Sequence, residues 1–273
     1  MRIGLFSFRY DSGNPYITRN FPDWLIEGAR KYERQEGALP DLMVSAGFTC
    51  ADPASLKALE REFSHKPISL AVEMLDPADH PLIGSRSFKG RGQFYVVGNG
   101  RCLELGPRQQ FTSTGNISEA AAEKVIEGLG LDGGRRFSVQ EKQVGWLECG
   151  EMNVLRCPQH HSTKSVLVRY EALQRRFYEA VASLDVVVNP QHTRMSRLHL
   201  LRRKAEAISS GLFVHAPAKK KWPVYCGVAN WDSMRQIKSQ SNLQYIFRDG
   251  QKMQPRDIAE TEDWIFSVYH VSR

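Results

Sequence analysis

A cysteine that follows an apolar strand is the residue in this chain best suited to covalent chemistry. Cys149 ends the segment 143–149, and Gly150 and Glu151 follow it directly. In α/β proteins ligands bind at the carboxyl ends of strands, and a thiol placed there can attack a carbonyl or nitrile carbon once it is ionised. The sequence therefore predicts a nucleophile, provided that another group removes its proton. The alternative is that Cys149 is an inert, buried thiol.

Two carboxylates and one histidine are candidates for that group. Glu151 lies two residues beyond the thiol, and Glu73 follows a short apolar run. His192 follows Asn189 on a predicted strand-to-helix loop, where it can serve as a base or, like Asn189, contact a substrate. The structural alternatives also stand: Glu151 caps the turn, Glu73 is solvated at its strand end, and His192 has no role.

The composition predicts a soluble globular protein without a cofactor. The 273 residues are 41% hydrophobic and 25% charged, which is ordinary for such proteins, and no apolar run approaches the roughly 20 residues of a membrane helix. Residues 1–8 predict a first strand and are too short for a secretory signal. Five scattered cysteines without CxxC spacing favour a reducing, cytoplasmic setting. His160 and His161 lie near Cys157 but lack a further ligand at zinc-site spacing, so we expect no metal.

The net charge of +7 raises the question of an anionic partner. Basic residues concentrate in 194–204 and 219–221, which is compatible with a nucleic-acid surface. The alternative is a solvated helix face and a basic loop. The chain has no glycine-rich phosphate loop and no RNA-binding signature, so the sequence favours this alternative.

The spacing of apolar residues predicts alternating strands and helices. Strands are expected at 3–8, 40–48, 67–74, 137–139, 143–149, 184–190, 212–216 and 264–271. Helices are expected at 21–32, 52–63, 166–184 and 197–210, the second with Asp52 as N-cap. Asn99-Gly100 and Asp249-Gly250 suit hairpin turns. Together these elements predict one α/β domain over 1–273, with a mixed sheet or two stacked sheets.

The order of these elements resembles the carbon–nitrogen hydrolase (nitrilase) superfamily. The matching segments are the nucleophile strand at 145–151, the next strand at 185–190, a helix and strand at 203–208 and 213–214, and a late turn at 248–250. The resemblance implies an αββα sandwich, with two mixed sheets between helical layers and a Glu-Lys-Cys triad. It also implies a homodimer or higher assembly that pairs through the helices predicted at 166–184 and 197–210.

The departures from the family pattern concern catalysis. The family's glutamate would fall at or beside Gly47, and its lysine would fall near Arg108. An arginine can stabilise an oxyanion, but it stays protonated and cannot act as an acid near neutral pH. An unassisted cysteine has a pKa near about 8.5, so only a few per cent of it is thiolate at pH 7. The triad is thus reduced to its thiol.

Three functions remain open from the sequence. The missing glutamate and lysine favour a pseudoenzyme that binds a small ligand or a protein partner without hydrolysis, and this is the preferred reading. The retained Cys149-Gly150-Glu151 favours an active carbon–nitrogen hydrolase that acts on a non-peptide amide or nitrile with a displaced base. Charge alone favours a nucleic-acid-associated protein.

Overall fold

A computed structural model describes most of the chain. It covers residues 1–11, 15–75, 92–112, 115, 117–158, 166–192, 197–213 and 221–271. The strands are β1 (Arg2–Tyr10), β2 (Leu42–Ser45), β3 (Ser69–Leu75), β4 (Gly92–Gly98), β5 (Arg101–Leu105), β6 (Arg136–Val139), β7 (Lys142–Trp146), β8 (Leu155–Arg156), β9 (Leu167–Val168), β10 (Val186–Gln191), β11 (Val224–Ala229), β12 (Trp231–Asp232), β13 (Gln244–Arg248), β14 (Gln251–Lys252), β15 (Asp257–Glu260) and β16 (Trp264–His270). The α-helices are α1 (Phe21–Glu36), α2 (Pro53–Phe63), α3 (Glu119–Leu129), α4 (Gln174–Ala182), α5 (Leu198–Ser210) and α6 (Gln240–Leu243).

Two mixed sheets contain most of these strands. The first has the order β15-β16-β1-β2-β3-β4-β5, with β12 pairing β1 at one end. The second has the order β14-β13-β11-β10-β7-β6. In the first sheet β1, β2 and β3 run parallel, and in the second β7, β10 and β11 run parallel. Each sheet therefore has a group of neighbouring strands whose carboxyl ends lie at one edge.

Three buried clusters account for the layering. One packs α1 and α2 against the first sheet, and a second packs α3, α4 and α5 against the second sheet. The third joins the inner faces of the two sheets, with Val44 and Phe94 from one and Trp146 and Val188 from the other. Successive residues of a strand point to opposite faces of its sheet. Both faces of each sheet are therefore buried, one against helices and one against the other sheet. The resulting order of layers is the predicted αββα sandwich.

Local signals in the sequence form the expected turns and caps. Asn99 and Gly100 have φ of 52° and 77°, and Asp249 and Gly250 have φ of 49° and 75°, as a type I′ hairpin requires. Asp52 accepts a hydrogen bond from the backbone N–H of Ser55 at 2.8 Å, which caps α2. These three predictions are confirmed.

The helix predicted at 166–184 is wrong before residue 174. Residues 167 and 168 form β9, which pairs with β8, and the α-helix occupies only Gln174–Ala182. Pairing of the apolar segment with another strand overrides its helical spacing. The strand predicted at 143–149 ends at Trp146, because Cys149 begins a 3-10 turn at 149–154. Of the strand predicted at 212–216, only a single bridge at Phe213 lies among the described residues.

No helix within the described residues is long and apolar enough to cross a membrane.

Candidate functional site

The carboxyl ends of the two parallel strand groups meet at one edge of the sandwich. There the backbone N–H of Gly47, just after β2, donates to the carbonyl of Gln191 at the end of β10, at 3.1 Å. Asn230, just after β11, donates through Nδ2 to the carbonyl of Gly47 at 2.7 Å and accepts from the N–H of Phe8 at 2.9 Å. These bonds fix the loops of one sheet against those of the other.

The thiol lies on a short turn that the neighbouring strand holds in place. Cys149 is half-buried and begins the 3-10 turn after β7. Ahead of it, the N–H of Leu147 donates to Val188 at 2.9 Å, and the Leu147 carbonyl accepts from Asn189 Nδ2 at 2.7 Å. Tyr225 donates to Asn189 Oδ1 at 2.7 Å and so orients the amide. The described contacts of Asn189 therefore support the chain directly before the 3-10 turn that begins at Cys149.

His192 and Glu73 form a buried pair across the two sheets. His192 follows β10, and its Nε2 lies 2.9 Å from both carboxylate oxygens of Glu73 on β3. The Glu73 side chain is fully buried, and its Oε2 also accepts from the N–H of Phe48 at 2.9 Å. The Phe48 ring stacks on the imidazole at 4.3 Å between centroids. The strand-end carboxylate is therefore partnered rather than solvated.

Two glycines leave the space that the Glu73 side chain occupies. A Cβ on Gly92, in the adjacent strand β4, would overlap the Glu73 carboxylate. A Cβ on Gly47 would overlap the His192 ring and lie 2.9 Å from Glu73 Oε2. The position where the family pattern places its glutamate is thus a glycine, and a carboxylate from β3 fills the neighbouring volume.

The imidazole also contacts the thiol. Burial by itself lowers the pKa of His192, but the Glu73 carboxylate and a hydrogen bond with Cys149 outweigh it and raise the pKa well above its usual range. His192 therefore holds its proton more firmly than a free imidazole does. A cationic imidazole next to a thiol in general favours the thiolate, and the contact joins two of the candidate residues that the sequence indicated.

A second buried carboxyl, which the sequence did not indicate, borders the pair. Glu148 precedes Cys149 and is fully buried; its Oε2 accepts from Trp146 Nε1 at 2.8 Å, and its Oε1 lies 3.8 Å from His192 Nε2. Burial, and then the charge of Glu73, raise the pKa of Glu148 well above its usual range despite opposing effects of His192 and Trp146. The Glu148 carboxyl therefore keeps its proton to a higher pH than an exposed glutamate does.

This shift predicts a pH-dependent stability difference for Glu148→Gln. Below a pH of about 4.5 the carboxyl is protonated in both folded and unfolded chains. As the pH rises, the unfolded chain releases this proton first, so the wild-type protein loses stability relative to the variant. We therefore expect the difference in the free energy of unfolding between Glu148→Gln and the wild type to shift in favour of the variant as the pH rises from 4.5 to 8.

Urea unfolding at several pH values between 4.5 and 8 measures this difference. Glu36→Gln, at the exposed end of α1, is the matched control and should show no comparable trend. A constant difference between Glu148→Gln and the wild type across this range would contradict the raised pKa of Glu148.

Glu151 is part of a buried ion pair. It binds both terminal nitrogens of Arg135, and both side chains are fully buried. Glu151 also accepts from the N–H of Glu148 at 3.0 Å and from the N–H of Gln110 at 2.7 Å. These contacts connect the 3-10 turn at 149–154 to the loop that follows β5. A role for Glu151 as base would require it to leave these partners, so its geometry favours the structural alternative.

Arg108, expected at the lysine position, is exposed, and its Nε donates to Gln93 at 2.8 Å. Its backbone carbonyl accepts from Arg135 NH2 at 2.7 Å. These contacts hold Arg108 against β4 and Arg135. Arg135, which anchors this loop, was not indicated by the sequence, because it stands between Gly134 and Arg136 in a polar turn that gives no sign of burial.

Glu73, Glu148 and His192 also meet the spacing of a metal site, since their nearest ligand atoms lie within 4.8 Å of one another. The 2.9 Å bond between His192 and Glu73 and the bond from Trp146 to Glu148 already engage these groups. We therefore interpret the cluster as a hydrogen-bonded network. His160 and His161 lie outside the described residues.

The basic segments are described only in part, since 194–196 and 219–220 lie outside the described residues. Lys204 is buried and donates to Asn153 Oδ1 at 2.9 Å, and burial lowers its pKa to about 8. Arg202 donates to Asn242 Oδ1 at 2.9 Å, and Lys221 donates to Asp185 at 3.0 Å. These three cations are therefore engaged within the fold.

No family model and no curated protein matches the chain. Solved structures do match it. A carbon–nitrogen hydrolase superfamily protein from Xanthomonas campestris, with an arsenic adduct in its active site, is 12% identical with a TM-score of 0.54, covering 99% of this chain and 90% of that chain. An amidase from Nesterenkonia sp. AN1, with acrylamide added to its active-site cysteine, is 12% identical with a TM-score of 0.51, covering 100% and 93%.

A glutamine-dependent NAD(+) synthetase from Cytophaga hutchinsonii is 11% identical with a TM-score of 0.52. The match covers 93% of this chain but only 40% of the synthetase. At these identities the likeness concerns the fold. The chain has the αββα sandwich of the nitrilase superfamily, as predicted.

Proposed function

We propose that the protein is a thiol-dependent carbon–nitrogen hydrolase in which Cys149 is the nucleophile, His192 the base and Glu73 the group that orients the imidazole. The observation that carries the proposal is the continuous contact from thiol to imidazole to buried carboxylate. Nucleophile, base and orienting group in hydrogen-bond sequence are the signature of an activated thiol. The same fold in an amidase with an active-site cysteine supports the reaction class.

The reaction follows from these three side chains. His192 already holds the proton of Cys149, and the thiolate sulfur bonds to the carbonyl carbon of an uncharged amide. The C–N bond then breaks, and the imidazolium gives its proton to the leaving nitrogen, which leaves a thioester on Cys149 and a neutral His192. A water molecule attacks the thioester while His192 takes its proton. The acid is released, and Cys149 returns to the thiolate beside the protonated His192.

The alternative is a protein that binds a ligand or a partner without hydrolysis. It is based on the absence of a carboxylate at position 47 and of a lysine at position 108. Two observations weigh against it. Glu73 occupies the volume beside Gly47, and both Gly47 and Gly92 lack the side chain that would exclude it. A buried carboxylate and histidine are costly to retain unless they are paired, and the pairing here aims the imidazole at the thiol.

The experiment is ammonia release from a panel of short aliphatic and aromatic amides and nitriles. We expect turnover by the wild-type protein and none by Cys149→Ala. Cys157→Ala, which removes another half-buried thiol, is the matched control and should keep the activity. Prior treatment with EDTA should change nothing, because the Glu73–His192 pair acts without a metal in this scheme.

Two results would count against the proposal. One is turnover that survives Cys149→Ala. The other is no turnover of any member of the panel, together with no acyl adduct on Cys149 in mass spectra of the intact protein, which would support the non-hydrolytic alternative.

A further inference from the structure

We infer that Glu148 is the oxyanion donor of this site: its Oε1 carries a hydrogen that bonds to the substrate oxygen as the thiol adds to the carbonyl carbon. The inference rests on the proposed function and supplies the group that the family pattern would provide as a lysine. It concerns a residue that stands directly before the nucleophile in the chain.

The orientation of the carboxyl is fixed from one side. Trp146 Nε1 donates to Glu148 Oε2 at 2.8 Å. The indole is itself fully buried and stacks on Phe94 with 5.0 Å between ring centroids. Because Oε2 is held as an acceptor, the hydrogen of the neutral acid belongs on Oε1.

Oε1 is a buried polar atom with no hydrogen-bond partner among the described residues. Leaving a buried donor without an acceptor is unfavourable, and such an atom in a native structure calls for an explanation. It lies 3.8 Å from His192 Nε2, and Glu148 is next to Cys149 in the chain. The missing acceptor therefore belongs beside the reacting atoms, where an oxygen of the substrate arrives.

A neutral donor suits the charges at this position. His192 holds a proton beside Glu73, and a lysine in place of Glu148 would put a second cation next to the imidazolium and weaken both. A protonated carboxyl donates a strong hydrogen bond without adding charge, and a carboxylic acid kept neutral by its surroundings serves as an oxyanion donor in other enzymes. Arg108, the expected cation, binds Gln93 instead.

The structure also sets a requirement for substrate entry. Oε1 is buried, whereas Cys149, the next residue in the chain, is half-buried. A substrate that binds at the thiol must therefore open a path to Oε1, and the substrate group that reaches it is the carbonyl oxygen.

Three measurements on Glu148→Gln and Glu148→Leu test the inference. Glutamine keeps an N–H at the Oε1 position and an oxygen for Trp146, whereas leucine keeps the volume and has no donor. We expect Glu148→Leu to lower amide turnover by roughly 10²–10³-fold, as loss of one oxyanion donor does, and Glu148→Gln to stay within about tenfold of wild type. The rate at which iodoacetamide alkylates Cys149 should change less than about threefold in both, because that reaction forms no oxyanion.

The third measurement is the affinity of Cys149 for a short aliphatic aldehyde, which forms a hemithioacetal and needs no turnover. Weaker aldehyde binding by Glu148→Leu, with alkylation unchanged, supports the inference even if hydrolysis is slow. Equal losses of alkylation and aldehyde binding would overturn it, since Glu148 would then act only on the thiol. Unchanged aldehyde binding would overturn it as well. Failure of the proposed function would give a different result, namely no turnover of amides or nitriles by the wild-type protein.

Discussion

Replacing His192 with asparagine should lower amide hydrolysis by roughly 10²–10⁴-fold, the usual contribution of a positioned base. Asparagine cannot take the Cys149 proton, and it cannot return one to the leaving nitrogen. The rate of Cys149 alkylation at pH 7 should fall as well, since the thiolate loses its cationic partner. Both rates can be measured on the same preparation.

The control for this substitution is His199→Asn, an exposed histidine on α5, which should leave both rates unchanged. His192→Asn also leaves Glu73 buried without its partner, so its thermal unfolding must be checked and the assays run well below the midpoint. A folded His192→Asn variant with wild-type hydrolysis would show that another group is the base.

Replacing Glu151 with glutamine should destabilise the protein by about 3–5 kcal/mol, because it leaves the Arg135 charge fully buried without its counter-ion. For a chain of this size each kcal/mol lowers the melting temperature by about 2–4 °C, so we expect a fall of roughly 10 °C. Scanning calorimetry measures it. The ion pair between Arg175 and Glu179 is exposed, and Glu179→Gln should leave the melting temperature nearly unchanged.

This prediction also separates the two roles that the sequence left open for Glu151. A structural role predicts a large loss of stability, with alkylation of Cys149 persisting at temperatures where the variant is folded. A catalytic role predicts the reverse, a stable variant without hydrolysis, and that result would contradict the structural assignment.

Much of the fold could be predicted because its signals are local. The glycines of the two hairpin turns and the cap at Asp52 depend on a few neighbouring residues, and the structure has them where expected. The helix predicted at 166–184 failed because the pairing of β9 is a tertiary interaction. Helix α3 was missed, although Ser118 caps it with a hydrogen bond to the N–H of Ala121.

The site was predictable only as separate candidates. Cys149, Glu73 and His192 could each be selected from a strand end, but Glu73 and His192 lie on different sheets. Their contact depends on how the two sheets pack, which no local pattern encodes. The space for Glu73 comes from Gly47 and Gly92, which are distant from each other in sequence. In the proposed mechanism Glu73 takes the place of a carboxylate at Gly47, which sequence order alone could not reveal.

The most direct test of the central claim, that His192 and Glu73 activate Cys149, is the rate of Cys149 alkylation by iodoacetamide between pH 6 and 8. Peptide mapping by mass spectrometry separates Cys149 from the other four cysteines, and Cys157 serves as an internal reference. An activated thiol paired with an imidazolium should react rapidly and at a rate nearly independent of pH over this range. A rate that rises about tenfold per pH unit and matches that of a free thiol would contradict the account.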